Sequence, residues 1–224
     1  FMKNETEKGA FIQASYRSSA AILGLAFIDN MYDGAGMAPL MILGAVPLFN
    51  IFAVIILTLK GQNKNQKPNV RTTVKNIFKN PILLGILLAL PFAFSGIHFP
   101  VFVNKSLNYL ANTASPLALL SIGAGFEGRK AFRKRKLTII STLIKLFLIC
   151  ALFLPAAICL GYRSQELMGI LIMLGSPATV SCYIMAKNTG NDTVLTSSII
   201  VLTTLLSSVS LTLWIFILKS MKLL

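Results

Sequence analysis

The stretch GSPATVSCYIMAKNTGND, from Gly175 to Asp192, places a proline and several hydroxyl side chains inside an apolar run of the sequence. In a bilayer, every backbone group that a helix break releases needs a partner from protein or water. Pro177 removes one backbone donor and frees a carbonyl one turn earlier. An interrupted helix would therefore turn peptide dipoles and the hydroxyls of Ser176 and Thr179 toward a polar cavity. A simple kink in a packed helix is the alternative, because Pro, Ser and Gly are common in membrane helices.

The composition places the whole chain in the membrane class. Of its 224 residues, 55% are hydrophobic and 12% are charged, which lies outside the range of ordinary soluble domains. The net charge of +14 would suit a nucleic acid partner only if the basic residues shared one face with polar readers. They lie instead in loops between apolar runs, so we expect no nucleic acid partner.

Chemistry that needs a metal, a cofactor or a catalytic cluster has little support in the sequence. Cys150, Cys159 and Cys182 are single and show neither metal-ligand nor disulfide spacing. An embedded enzyme would need clustered Asp, Glu, His or Cys, and the chain has 7 acids and 1 His. No phosphate-binding GxxxxGK[ST] motif is present. We therefore expect no enzyme activity and no cofactor.

Seven segments reach or approach the roughly 20 apolar residues that a membrane span needs. They are Ala10–Ile28, Met37–Leu59, Pro81–Phe99, Val101–Phe126, Leu137–Leu160, Leu167–Ala186 and Val194–Leu218. If all seven cross, 16 of the 21 Lys and Arg residues fall on one side of the bilayer. Basic residues collect on the cytoplasmic side, which predicts an inside N-terminus and an outside C-terminus.

The first and sixth spans share a polar character. The first carries Ser15, Arg17, Ser18 and Ser19, and the sixth carries the stretch quoted above. By the charge count these two segments run in opposite directions. Two interrupted segments of opposite orientation are typical of an inverted-repeat transporter whose site lies where broken helices meet at the midplane.

Six pieces of the sequence together resemble the auxin efflux carrier family, in its bacterial branch of malate and other carboxylate permeases. They are SYRSSAAILGLAF from Ser15, VPLFNIFAV from Val46, NPILLGILLAL from Asn80, ASPLALLSIGAGF from Ala114, KLFLICALFLP from Lys145 and SPATVSCYIMAKNTGND from Ser176. Their order and spacing extend the resemblance over nearly the whole chain.

The resemblance implies an all-α integral membrane bundle with an inverted five-helix repeat, similar to the bile acid/sodium symporters, whose broken helices cross. This chain corresponds to helices four to ten, so the first three helices are expected to be missing. Residues 1–59 would then complete the first repeat and 60–80 would form a basic cytoplasmic loop. Residues 81–224 would be the second repeat, with 81–126 as scaffold and 137–218 as transport bundle.

In this family the substrate anion lies where the fourth and ninth helices cross. Carried over, the resemblance implies a substrate site formed by Arg17, Ser18, Ser19, Asn50, Ser176, Pro177, Ala178 and Thr179. The chain departs from the family pattern at Ser19, where Asn is frequent, and at Ala26, where Pro is frequent. A hydroxyl has fewer hydrogen-bonding groups than an amide, so the departure at Ser19 bears on substrate preference.

Lys145 lies deep inside an apolar segment. An ionisable residue in a span is by default a candidate functional residue, here for charge coupling to transport. The alternative is that Lys145 snorkels, extending its ammonium to the cytoplasmic end of the helix.

These observations predict a secondary transporter that moves a small organic anion, a malate-like carboxylate, by alternating access. The expected partners are the lipid bilayer, a coupling proton or sodium ion, and a second copy bound through the scaffold helices to form a homodimer. The expected location is the bacterial plasma membrane, which the chain crosses several times. A non-transporting remnant or partner-binding membrane protein is the alternative, and a membrane-embedded enzyme is the weaker third.

Overall fold

The computed structural model describes residues 2, 4–20, 38–61, 81–96, 99–124, 126 and 128–224. These residues form α-helices without any β-strand, in agreement with the all-α fold that the family resemblance implies. The helices are α1 Glu5–Tyr16, α2 Ala38–Lys60, α3 Pro81–Ser95, α4 Val101–Ala124, α5 Gly128–Arg133, α6 Arg135–Leu143, α7 Ile149–Cys159, α8 Ser164–Gly175, α9 Ser181–Asn188 and α10 Thr193–Ser220. A π-helical segment, Ile144–Leu148, joins α6 to α7. The second half of the first predicted span and most of the basic loop lie outside the described residues.

Two helices of the described residues are long and apolar enough to cross a bilayer. They are Arg135–Cys159, which includes α6, the π segment and α7, and Thr193–Ser220, which is α10. At 1.5 Å per residue each exceeds the roughly 30 Å of a hydrocarbon core. Both coincide with predicted spans. The total of seven crossings stays a prediction, as do the inverted repeat and the division into scaffold and transport bundle.

Three clusters of buried apolar side chains hold the helices together. One joins α7, α8 and α10 through residues such as Leu154, Leu171 and Leu211. The second packs Ala10 and Ala14 of α1 against α9 and the start of α10. The third sets α2 against α9. Helix α10 therefore lies at the centre, in contact with α1, α6, α8 and α9.

Helices α3 and α4 lie at the periphery of this bundle. Leu88 on α3 is 69% exposed and Phe102 on α4 is 73% exposed. Ile122, near the end of α4, is instead buried in the cluster around α1 and α9. In a bilayer, lipid would cover the exposed apolar faces, so the two helices fit a membrane environment.

Charged side chains tie together the helix ends on one side of the bundle. Lys134 bridges Glu7 of α1, at 3.0 Å, and Asp192, the N-cap residue of α10. Glu5 accepts from Lys60 at the end of α2, at 2.6 Å, and from Lys8. The two acids in the first turn of α1 also interact favourably with the positive N-terminal end of the helix dipole. By the predicted orientation, this ionic cluster lies at the cytoplasmic surface.

The turn after α9, at Gly190 and Asn191, packs against α2 in the same region. Gly190 turns the chain with φ +68°, a conformation that glycine adopts without steric cost. Asn191 then donates to the Leu57 carbonyl of α2 at 2.9 Å. The backbones here are so close that a Cβ on Gly61 would meet the Thr189 carbonyl oxygen at 2.6 Å. The turn after α9 is thereby fixed against α2.

We expect Glu5→Gln to lower the thermal midpoint of the detergent-solubilised protein in a pH-dependent way. Hydrogen bonds from Lys60 and Lys8 lower the pKa of Glu5 from 4.5 to about 2 in the folded protein. A group whose pKa is depressed on folding stabilises the protein above its unfolded pKa and loses that effect as the pH falls toward the folded value. The effect is small because the Glu5 side chain is 46% exposed.

The measurement is the difference in midpoint between wild type and Glu5→Gln from pH 8 to pH 3. The difference should hold constant above about pH 5 and shrink below about pH 4.5. Glu166→Gln is the control, because Glu166 is exposed and forms no ion pair with the described residues. If the difference in midpoint between wild type and Glu5→Gln is undiminished at pH 3, the lowered pKa of Glu5 is contradicted.

Candidate substrate site

The first predicted break begins where α1 ends. Tyr16 is the last helical residue, and Arg17 has φ −70° and ψ 129°, an extended conformation. Residues 17–19 form no regular helix. Arg17 and Ser18 are nevertheless buried, at 4% and 8% exposure. The chain thus runs extended through the interior of the bundle at this point.

The second break separates α8 from α9 at Pro177. Ser176 is extended, with φ −64° and ψ 150°, because proline drives the preceding residue away from helical angles. Pro177 also has no N–H for the carbonyl of Met173, four residues earlier. The hydroxyl of Ser18 donates to that carbonyl at 2.5 Å. The first broken segment thereby satisfies a group that the second break releases.

The two breaks cross and share a backbone hydrogen bond. The N–H of Ser19 donates to the Pro177 carbonyl at 2.9 Å. The N–H of Ala178 donates to the hydroxyl of Thr203 on α10 at 3.1 Å. Two interrupted segments and one continuous helix therefore complete each other's hydrogen bonding, so this is more than a proline kink. We call the region formed by residues 17–19 and 176–180 the crossing.

Arg17 lies on one side of the crossing among neutral partners. Its guanidinium donates to the side-chain amide oxygen of Asn50 at 2.6 Å and to the Ser181 hydroxyl at 2.9 Å. A third donor contacts the thioether of Met185. No carboxylate of the described residues forms an ion pair with Arg17. The result is a buried positive charge held by hydrogen bonds alone.

The N-terminal end of α9 adds to the positive potential on this side. Helix α9 begins at Ser181, and no side chain caps its first turn. The hydroxyls of Thr179 and Ser181 lie 3.3 Å apart there. The N–H groups of Cys182 and Tyr183 bond to the carbonyls of Thr179 and Val180 in this turn, so it is the positive end of the helix dipole that makes this end favourable for anions. Together with Arg17 it can hold a carboxylate.

Lys145 lies on the other side of the crossing and is fully buried. Its ammonium donates to the Ser18 hydroxyl at 2.5 Å, the Leu174 carbonyl at 2.7 Å and the Tyr16 carbonyl at 3.3 Å. Its side chain therefore turns inward and does not snorkel to the helix end. In the π-helical segment around Lys145, the Leu146 carbonyl accepts from the indole N–H of Trp214 at 3.0 Å. Single π turns inside α-helices frequently occur at functional sites.

Some buried polar atoms near the crossing have no hydrogen-bond partner among the described residues. They include the Ser176 hydroxyl, the Thr142 hydroxyl and the carbonyl oxygen of the Gln13 side chain. Buried polar groups are normally paired, so each is available to a ligand or to water. No group of three His, Cys, Asp or Glu that could bind a metal occurs in the described parts of the chain.

The structure brings the predicted site residues together. Ser18, Ser19, Ser176, Pro177, Ala178 and Thr179 form the crossing, and Arg17 joins Asn50 to it. Ser18 faces Lys145, whereas Thr179 lies on the Arg17 side. Whether they bind substrate stays a prediction.

Sequence reasoning missed Gln13, Thr203 and Met185 as members of this region. Gln13 lies four residues before Arg17, whose backbone N–H donates to the Gln13 carbonyl at 3.1 Å, and the Gln13 side-chain amide also reaches Met185. That spacing was the available signal for Gln13. Nothing local marks Thr203, because its role depends on how α10 packs against the second break.

We expect Thr203→Val to destabilise the crossing. The hydroxyl of Thr203 is the acceptor for the buried N–H of Ala178, and valine keeps the shape but removes the acceptor. Leaving a buried donor unsatisfied costs about 1–3 kcal/mol, which for a protein of this size lowers the thermal midpoint by roughly 2–12 °C. Thr204→Val is the matched control, because Thr204 is exposed and donates only to its own helix. Equal midpoints for the two variants would contradict this hydrogen bond.

Comparison with known proteins places the chain in a family. The chain is 23% identical over 221 residues to an uncharacterized transporter of Methanocaldococcus jannaschii, a match that covers 97% of this chain and 71% of that protein. No solved structure matches the chain. Residues 1–215 match the family described as Membrane transport protein. The chain therefore belongs to this family of integral membrane transporters, which confirms the resemblance to the auxin efflux carriers.

Proposed function

We propose that the chain is a secondary transporter that carries a small organic anion, a malate-like carboxylate, through the crossing by alternating access. The observation that carries this proposal is the buried guanidinium of Arg17, whose described partners are all neutral. A charge inside a membrane protein is costly unless it is paired. An anionic substrate would supply the missing negative charge each time it binds.

The two buried cations differ in their capacity for a ligand. An ammonium has three donors, and those of Lys145 meet three acceptors. A guanidinium has five N–H donors, of which three are engaged by described residues. Its planar fork also matches a carboxylate with two parallel hydrogen bonds. These properties favour Arg17, and not Lys145, as the receptor for the anion.

The groups around Arg17 fit a substrate that carries hydroxyls as well as carboxylates. Asn50, Thr179 and Ser181 offer donors and acceptors beside the guanidinium. The uncapped start of α9 favours negative charge at the same place. Small hydroxylated carboxylates, of which malate is one, have this combination of groups.

Transport in this proposal follows the alternating-access scheme of inverted-repeat carriers. Residues 137–218, with the crossing, would move as one bundle against a scaffold of residues 81–126. The exposed apolar faces of α3 and α4 leave room for that movement and for a homodimer contact. A bacterial plasma membrane, an outside C-terminus and a proton or sodium gradient as driving force belong to the same proposal.

The test is uptake of radiolabelled malate into proteoliposomes by wild type, Arg17→Gln and Arg17→Lys. Losing charge-assisted hydrogen bonds worth about 1.5–3 kcal/mol should reduce uptake by Arg17→Gln roughly 10- to 150-fold. Arg17→Lys should retain part of the activity, since it keeps the charge without the fork.

Arg163→Gln is the matched control, because Arg163 is exposed and bonds only to carbonyls near the end of α7. Its uptake should equal that of wild type. Unchanged uptake by Arg17→Gln would exclude Arg17 as the anion receptor. The absence of uptake for malate and for a panel of other organic anions in wild type would instead favour a membrane protein that does not transport.

A further inference from the structure

Three oxygen atoms from two different broken segments converge on the ammonium of Lys145. They are the Tyr16 carbonyl, the Ser18 hydroxyl and the Leu174 carbonyl, at 3.3, 2.5 and 2.7 Å. Tyr16 is the last residue of α1, and Leu174 lies one residue before the end of α8. The ammonium thus touches the C-terminal ends of both interrupted helices at once.

The helix breaks explain why these oxygens need a cation. The last carbonyls of a helix lack backbone donors and form the negative end of its dipole. For Leu174, the residue three positions on is Pro177, which has no N–H, and the N–H of Ala178 is taken by Thr203. The Leu174 carbonyl is therefore left for Lys145. Two negative helix ends meet in the membrane interior, where a positive charge stabilises both.

No acid of the described residues takes part in this arrangement. Every described ion pair lies in the ionic cluster at the helix ends. A cation held only by neutral oxygens at unwound helix ends is the arrangement with which inverted-repeat transporters coordinate sodium ions. Carbonyl and hydroxyl oxygens are the ligands that such a hard cation prefers.

We propose that Lys145 is a resident cation: its ammonium occupies a built-in monovalent-cation site and holds the crossing together without a dissolved ion. Lys145 is then a positioning residue for the anion site on the opposite side. The wild-type protein needs no sodium at this position. When the side chain is shortened, the same three oxygens bind a small monovalent cation from solution. The inference deepens the proposed function, but the site can be tested without transport.

The experiment compares Lys145→Ala with Lys145→Met by thermal unfolding of the purified protein. Alanine removes the ammonium and leaves space beside the oxygens, whereas methionine removes the charge and fills that space. Both midpoints should fall below wild type, by roughly 5 °C or more. Sodium or methylammonium chloride should raise the Lys145→Ala midpoint saturably, while choline chloride at equal ionic strength should not. For Lys145→Met and for wild type, the thermal midpoint should be the same in all three salts.

Three outcomes would overturn the inference. One is a Lys145→Met midpoint equal to that of wild type. Another is a folded Lys145→Ala protein that responds to no small cation. The third is a wild-type midpoint that rises saturably with sodium but not with choline, and this measurement does not depend on either variant being folded.

The same measurements separate this inference from the proposed function. Cation rescue of Lys145→Ala in a protein that transports no anion would support the resident cation and contradict the transport proposal. Anion uptake by wild type without any cation rescue of the folded Lys145→Ala variant would support the transport proposal and contradict the resident cation.

Discussion

The structure depends on one constraint: a polypeptide that stops being helical inside a membrane must find a protein partner for each backbone group it releases. Here two breaks meet this constraint together. Pro177 releases the carbonyl of Met173, and Ser18 of the other break donates to it. The Pro177 carbonyl accepts in turn from the N–H of Ser19. Neither break could exist alone in an apolar interior, so the crossing is a single unit with the helices that carry it.

The crossing has two electrically distinct sides. The C-terminal ends of α1 and α8, which are negative, face Lys145. The N-terminal end of α9, which is positive, lies beside Arg17. One side therefore fits a cation, and the ammonium of Lys145 already lies there. The other side concentrates positive charge among hydroxyl and amide groups, which suits an organic anion. This separation arises because the C-terminal ends of α1 and α8 and the N-terminal end of α9 meet at one crossing.

Much of this arrangement could be predicted from the sequence, because the signals are local. Pro177 with its neighbouring hydroxyls predicts a broken helix, and the polar run at residues 15–19 predicts its partner. The apolar lengths of Leu137–Leu160 and Val194–Leu218 predict the two longest helices of the described bundle. Asp192 before an apolar run also fits its observed role as the N-cap of α10.

Other features depend on contacts between residues far apart in the chain. The inward turn of Lys145 requires the carbonyls of Tyr16 and Leu174, which only the crossing brings within reach. Thr203 has no local signal, since its hydroxyl matters only because Ala178 lies against it. The ionic cluster likewise joins Lys134 to Glu7, which lie 127 residues apart in the sequence. Sequence patterns show which residues are unusual, but the packing decides which of them meet.

If the crossing separates an anion side at Arg17 from a cation side at Lys145, a bound carboxylate must lie on the Arg17 side. The most direct measurement is an electron cryomicroscopy map of the protein in lipid nanodiscs with saturating malate. We predict broken helices at residues 17–19 and 176–180, with carboxylate density against the Arg17 guanidinium and none within hydrogen-bonding distance of the Lys145 ammonium. Continuous helices through both segments, or a carboxylate bound to Lys145, would contradict this prediction.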